Sequence, residues 1–333
     1  MAMRAMFGRM AVLVFLVTAG CNYAEVESNT LVEKGMKLYA SKSIDKAMAE
    51  FQKAAQVFPN NARALYGMAL VDMDYHDYKQ AMIHLQGAAG LDPQDPVYPF
   101  TLGMAHRGQA DKLYESNDID GSIGEYAACA HSMEQAAKLD PYDPTVHLEM
   151  ARCDVRAERY GDAVDAYQDA IKADPFFRSS FGTTEHYKEL GELYAHFGFY
   201  DQALRILRNG ILNNTGDSVL EMTLADILME QGEYLEAAAH YEQASKTVDL
   251  REESKLRALP AYLGAGKAFY ALARHSQREG QHKLARDQYI AARDWLMQYI
   301  ESAITEELKL HRATAVQHVK EIEDLLSEYS ETI

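Results

Sequence analysis

The stretch KAMAEFQKAAQVFP, residues 46–59, returns 34 residues later as QAMIHLQGAAGLDP, residues 80–93. Both place an Ala, a large apolar residue, a second Ala and a closing Pro at the same offsets. A unit repeated at fixed spacing is one that cannot bury its apolar face alone and stacks on a neighbour. Five further copies follow: ACAHSMEQAAKLDP (128–141), DAVDAYQDAIKADP (162–175), QALRILRNGILNNT (202–215), EAAAHYEQASKTVD (236–249) and LARDQYIAARDWLM (284–297). The anchors are Ala47, Ala81, Cys129, Ala163, Ala203, Ala237 and Ala285, and the large residues are Phe51, Leu85, Met133, Tyr167, Leu207, Tyr241 and Tyr289.

A second signature precedes each copy, as in GMAL (67–70), EMAR (149–152) and LGELY (190–194). It carries the small residues Gly35, Ala69, Gly103, Ala151, Gly191, Ala225 and Gly264. Together these motifs closely resemble the tetratricopeptide repeat, a 34-residue helical pair. The resemblance covers about residues 28–300. It implies an all-α, right-handed superhelical solenoid of about seven repeats (30–300) with a capping segment over residues 301–333. Small residues let the paired helices approach. Pro59, Pro93, Pro141 and Pro175 end the second helices of the first four repeats by removing a donor and restricting the preceding residue.

Departures from 34 residues predict two spurs. The third repeat gains 14 residues around 110–126, which two lengthened helices would absorb, with Asn117, Asp118, Asp120 and Gly121 at the turn. The seventh gains 14, split between residues before its first helix and a longer hairpin around Gly280. The fifth gains six near 178–183. Beyond the repeats, Ile304, Leu308, Val316, Val319, Ile322 and Leu326 fall on one helical face, as a cap over the last repeat requires, with a break expected near 302–305.

The first 21 residues read differently. Arg4 and Arg9 precede the apolar run from Met10 to Val17, and Thr18-Ala19-Gly20-Cys21 follows. That order is a secretory signal, too short for a membrane span. Its end resembles the lipobox of bacterial lipoproteins, which implies a signal peptide over 1–20, lipidation of Cys21, and a lipidated tether over 21–29. Asn22 in place of Asp points to the outer membrane, so the expected location is the cell envelope, facing the periplasm. The other cysteines, Cys129 and Cys153, could form one disulfide in an exported chain. Both sit at apolar helical positions, and buried free thiols are the expected state.

The chain of 333 residues carries 33 Lys and Arg against 50 Asp and Glu, a formal net charge of −17. Such a chain offers no general surface for neutralising phosphates, so no nucleic-acid partner is expected. Ser43-Ile44-Asp45-Lys46 matches S-x-x-K, but the companion motifs are absent. Gly264-Ala265-Gly266 resembles part of a phosphate loop, without a strand before it or a third Gly. His186 and Glu189 are one helical turn apart and read as a surface pair, with no further ligands in register. No catalytic residue, metal or cofactor is expected.

In this family, defined positions of each first helix line the concave groove. Here they include Val32, Met36, Tyr39, Tyr66, Leu70, Met73, Phe100 and Met104, followed by Arg107, Arg152 and Arg156. Glu185, Glu192, Asp226 and Glu230, with Lys188, come from repeats five and six. Val32 and Met36 stand where chaperone-binding relatives carry a Lys/Asn carboxylate clamp, which disfavours that ligand. The expected partner-binding groove is Met36, Tyr39, Tyr66, Met73, Phe100, Met104, Arg107, Arg152 and Arg156, with the spur 110–126 as a second contact. The expected function is a non-catalytic, membrane-anchored interaction scaffold or assembly factor of the envelope. Pilus or secretin assembly is favoured, and an adaptor for cell-wall hydrolases is the alternative. An enzyme or sensor without recognisable motifs is the alternative of another class.

Overall fold

The computed structural model describes residues 23–176, 184–247, 252–303 and 309–332, and all regular structure among them is helical. The chain divides into two compact units, Met1–Ala173 and Asp174–Ile333.

The first unit holds four hairpins: α1 (23–40) with α2 (Ile44–Val57), α3 (Ala62–Asp74) with α4 (Tyr78–Leu91), α5 (Val97–Glu115) with α6 (Ile119–Leu139), and α7 (Pro144–Arg156) with α8 (Tyr160–Ala173). Residues 23–29, part of the tether expected over 21–29, are helical and belong to α1. The apolar side chains at the repeat positions make the core. Ala47, Phe51, Ala81, Leu85, Cys129, Met133 and Ala163 have no measurable exposure. The long α5–α6 pair is the third-repeat spur. Asp118 caps α6 by accepting from the Gly121 amide at 3.0 Å, and Asn117 turns the chain at φ 65°.

The expectation for the two inner cysteines is corrected. Cys129 of α6 and Cys153 of α7 are joined in a disulfide, with both residues buried. Apolar helical positions suit a buried free thiol and a buried half-cystine alike. The same positions bring the two Cα atoms to 6.0 Å, within the span a disulfide bridges.

The second unit holds three hairpins and a terminal helix: α9 (Glu185–His196) with α10 (Tyr200–Asn213), α11 (Ser218–Gln231) with α12 (Tyr234–Thr247), α13 (Glu252–Arg278) with α14 (His282–Ser302), and α15 (Lys309–Thr332). Gly264 and Gly266 lie inside α13, where Tyr241 and Leu296 pack against them, so they form no phosphate loop. His186 is buried and its ring stacks on Tyr187, so it is no surface residue.

α14 stops at Ser302, and Arg312 Nε of α15 donates to the Ile300 carbonyl at 3.0 Å, satisfying one of the open carbonyls at that end. α15 buries Ala315, Val319, Ile322 and Tyr329, with Leu326 partly covered, while Lys320, Glu321, Glu323 and Asp324 face solvent. Val316, expected on the buried face, is exposed. Ile304 and Leu308 lie outside the described residues, as does the six-residue insertion near 178–183.

The seven turns inside the hairpins share one device. Lys42, His76, Asn117, Glu158, Gly198, Gly232 and Gly280 all have positive φ. In each turn the following amide reaches back to the carbonyl five residues earlier, from Ser43 to Leu38, Asp77 to Asp72, Asp118 to Leu113, Arg159 to Asp154, Phe199 to Tyr194, Glu233 to Leu228 and Gln281 to Ser276. This closes the first helix with a Schellman motif and redirects the chain into the second. Only three of the seven residues are glycines.

Candidate functional site

α1, α3, α5 and α7, the first helices of the four hairpins in the first unit, present the residues expected to line the groove. Met36, Tyr39, Tyr66, Met73, Phe100 and Met104 are all half-buried. Each packs partly into the core below it: Met36 and Tyr39 beside Val32 and Phe51, Tyr66 and Met73 beside Ala69 and Leu85, and Phe100 and Met104 beside Met133 and Val146. The Tyr66 ring lies 5.7 Å from that of Tyr98 on α5. Val32 is buried and offers no surface. The wall is therefore partly committed to holding neighbouring hairpins together, and the rest of each side chain remains open to solvent.

Polar groups run through the same wall. The Tyr39 phenol is pushed up to about 12, first by burial and then by the Asp74 carboxylate it bonds. Burial also pushes the Tyr98 phenol up to about 12, with Asp95 and Asp92 adding to it.

The three arginines do not form one open cationic cluster. Arg107 and Arg152 both bind Glu149, Arg152 at 2.7 Å, and Glu149 is buried. Arg156 is engaged elsewhere. Its guanidinium stands 4.8 Å from the Tyr114 ring centroid and 5.0 Å from that of Tyr126, and its Nη2 donates to the Tyr126 hydroxyl at 2.9 Å. That hydroxyl in turn donates to Asp111. Arg156, itself exposed, thus ties the spur to α7. Glu149 is the buried member of its trio with Arg107 and Arg152, and the two arginines compensate a charge that would be costly to bury alone. Glu149 was missed, although it opens the EMAR motif that marks its helix.

In the second unit, Glu185, Glu192, Asp226 and Glu230 are exposed. Lys188 sits 3.6 Å from Glu192. Asp226 accepts from the Tyr241 hydroxyl, and the surrounding protein raises the carboxyls of Asp226 and Glu192 above the usual range by desolvation. Among the described residues no cluster of three or more His, Cys, Asp or Glu side chains is placed to hold a metal ion. No helix among them is long and apolar enough to cross a membrane.

Each unit is built of helical hairpins closed by the same turn, with a large side chain packed against a glycine at Gly35, Gly103, Gly191 and Gly264, the all-α build of helical repeat proteins. Two tetratricopeptide repeat family models match this chain, over residues 38–98 and 108–176. Among curated proteins, the BBSome complex member BBS4 of Bos taurus is 22% identical over 231 residues, 63% of this chain. The chain spans 43% of that relative's length. Among solved structures, MamA from Desulfovibrio magneticus RS-1 is 15% identical, with a TM-score of 0.45, covering 56% of this chain and 94% of that one. The APC/C hetero-tetramer Cut9–Hcn1 is 19% identical, with a TM-score of 0.43, covering 71% of this chain and 42% of that one.

Proposed function

We propose that this chain is a non-catalytic protein–protein interaction scaffold of the bacterial envelope, anchored through a lipid on Cys21 and facing the periplasm, with the outer membrane as its membrane. The wall of half-buried Met, Tyr and Phe side chains on α1, α3 and α5 carries the scaffold reading. Aromatic residues anchor protein interfaces, and Met adapts to irregular apolar partners. Helical repeats bring such residues onto an extended surface that a peptide or helix can follow.

The anchor rests on the basic, apolar, small-residue, Cys order of residues 1–21. The Cys129–Cys153 disulfide supports export, because such bonds persist in oxidising compartments. Assembly of pilus or secretin type is the favoured setting.

Palmitate labelling followed by cross-linking in envelope membranes tests the proposal. The parent should take up label and the Cys21→Ser variant should not. A labelled Cys21→Ser chain would remove the anchor. A cross-linked secretin or pilus subunit supports the favoured setting, whereas a cross-linked cell-wall hydrolase replaces it with the adaptor reading.

A further inference from the structure

We infer that the first turns of α1 rest on a lipid surface, so that the scaffold is fixed to the bilayer without a flexible tether. The inference rests on lipidation of Cys21. Only two residue steps separate Cys21 from residue 23, which is already in α1, a reach of at most about 7 Å.

The helix that follows is pinned almost at once. Ser28 is completely buried, and its Oγ donates to the Ala54 carbonyl of α2 at 2.8 Å. Asn61, at the head of α3, donates through Nδ2 to Ser28 Oγ at 2.8 Å and to Asn29 Oδ1 at 3.0 Å. At ~1.5 Å rise per helical residue, this fixed point lies within about 15 Å of the lipid-bearing residue.

Two large apolar side chains stand out of that short stretch. Tyr23 is 74% exposed and Val26 is 65% exposed. Three residues apart, they share one face of the helix. Tyrosine settles at the membrane–water boundary, where its ring is buried and its hydroxyl stays wet. Glu25 and Glu27 are exposed on the same turns. Acidic groups beside the contact are repelled by an anionic headgroup layer. The surface that fits is therefore zwitterionic lipid.

The test uses the full lipidated chain. Trp295→Phe removes the single native indole, and Tyr23→Trp then places one at the proposed contact. In phosphatidylcholine vesicles with brominated acyl chains, its fluorescence should be lower than in unbrominated vesicles, because an indole at the membrane–water boundary lies within reach of the bromines. The native Trp295 of the parent should be unaffected, and admixed phosphatidylglycerol should relieve the quenching. Val26→Trp in the same background gives a second reading if Tyr23→Trp perturbs the helix. Mass spectrometry of the Cys21 peptide separates the two possible failures. A lipidated chain whose indole is quenched at neither position overturns the inference and leaves the anchor standing. A chain without lipid overturns both.

Discussion

Phe51 fills the space that a side chain on Gly35 would need: a Cβ there would stand 2.5 Å from the Phe51 ring. Phe51 is fully buried, and Gly67 confines the ring from α3, so it cannot swing away. Gly35→Ala should introduce overpacking of about 1–3 kcal/mol, which outweighs the ~1 kcal/mol that Ala gains over Gly in a helix. The denaturation midpoint of the first unit should fall. A raised midpoint would mean that α1 and α2 are not in this contact.

Lys42 is an exposed residue held at φ 60° in the α1–α2 turn. Glycine takes that conformation without a Cβ clash. Lys42→Gly should therefore stabilise the chain by about 0.5–1 kcal/mol, against the usual direction for glycine substitutions. Urea unfolding of the two proteins side by side measures it, and a clear loss of stability would contradict the turn geometry.

The disulfide closes a loop with a sequence separation of 24 residues. Chain-entropy arguments give such a loop about 3 kcal/mol of stabilisation. Cys129→Ala with Cys153→Ala should lower the unfolding midpoint accordingly, and addition of reductant should then have no further effect. A double variant as stable as the parent would show that the two thiols are not bonded in the native protein.

Partner binding through the wall can be tested once a partner is cross-linked. Tyr66→Ala should weaken association by about 2 kcal/mol if the ring is an interface anchor. Because Tyr66 also packs near Leu85, the variant's melting must be measured in parallel. Lost stability with unchanged affinity would assign Tyr66 to the core alone.

The raised phenol of Tyr98 makes an alkaline prediction. Its folded value is near 12 against an unfolded 10.0, so the native state holds the proton longer. The stability this contributes is fully present below pH 10 and is lost as pH climbs to about 12. Tyr98→Phe should make the fall of the urea midpoint between pH 10 and 12 shallower. An identical slope in both proteins would place the alkaline sensitivity elsewhere.

Much of the fold was legible because the repeat fixes it several times over. Ala47 and Phe51 recur as Ala81 and Leu85, and each copy checks the register of the others. The Asn117–Gly121 turn was readable from turn-forming residue types. Lys42, His76 and Glu158 were not, since nothing in their chemistry announces a positive φ; the constraint comes from the helices they join. The groove was legible only as a set of positions. Family register placed Met36 and Tyr66, but the state of an arginine depends on which carboxylate lies across from it. Glu149 stands 42 residues from Arg107 in sequence, and Arg156 meets Tyr126 across 30. The pairing of Cys129 with Cys153 escaped for a related reason, because a buried thiol and a buried half-cystine leave the same apolar pattern.

That disulfide takes on a different meaning if the chain is pulled. A scaffold attached to a membrane at one end and a partner at the other carries tension, and stacked hairpins yield by peeling away in turn. The link joins α6 to α7, the second helix of one hairpin to the first of the next. Peeling from the amino-terminal side would meet a covalent stop there. The intervening segment, worth roughly 80 Å when extended, would stay out of the chain's stretched length until the bond is reduced. The extension of this protein under force would then depend on the redox state of its surroundings, through one bond hidden in its core.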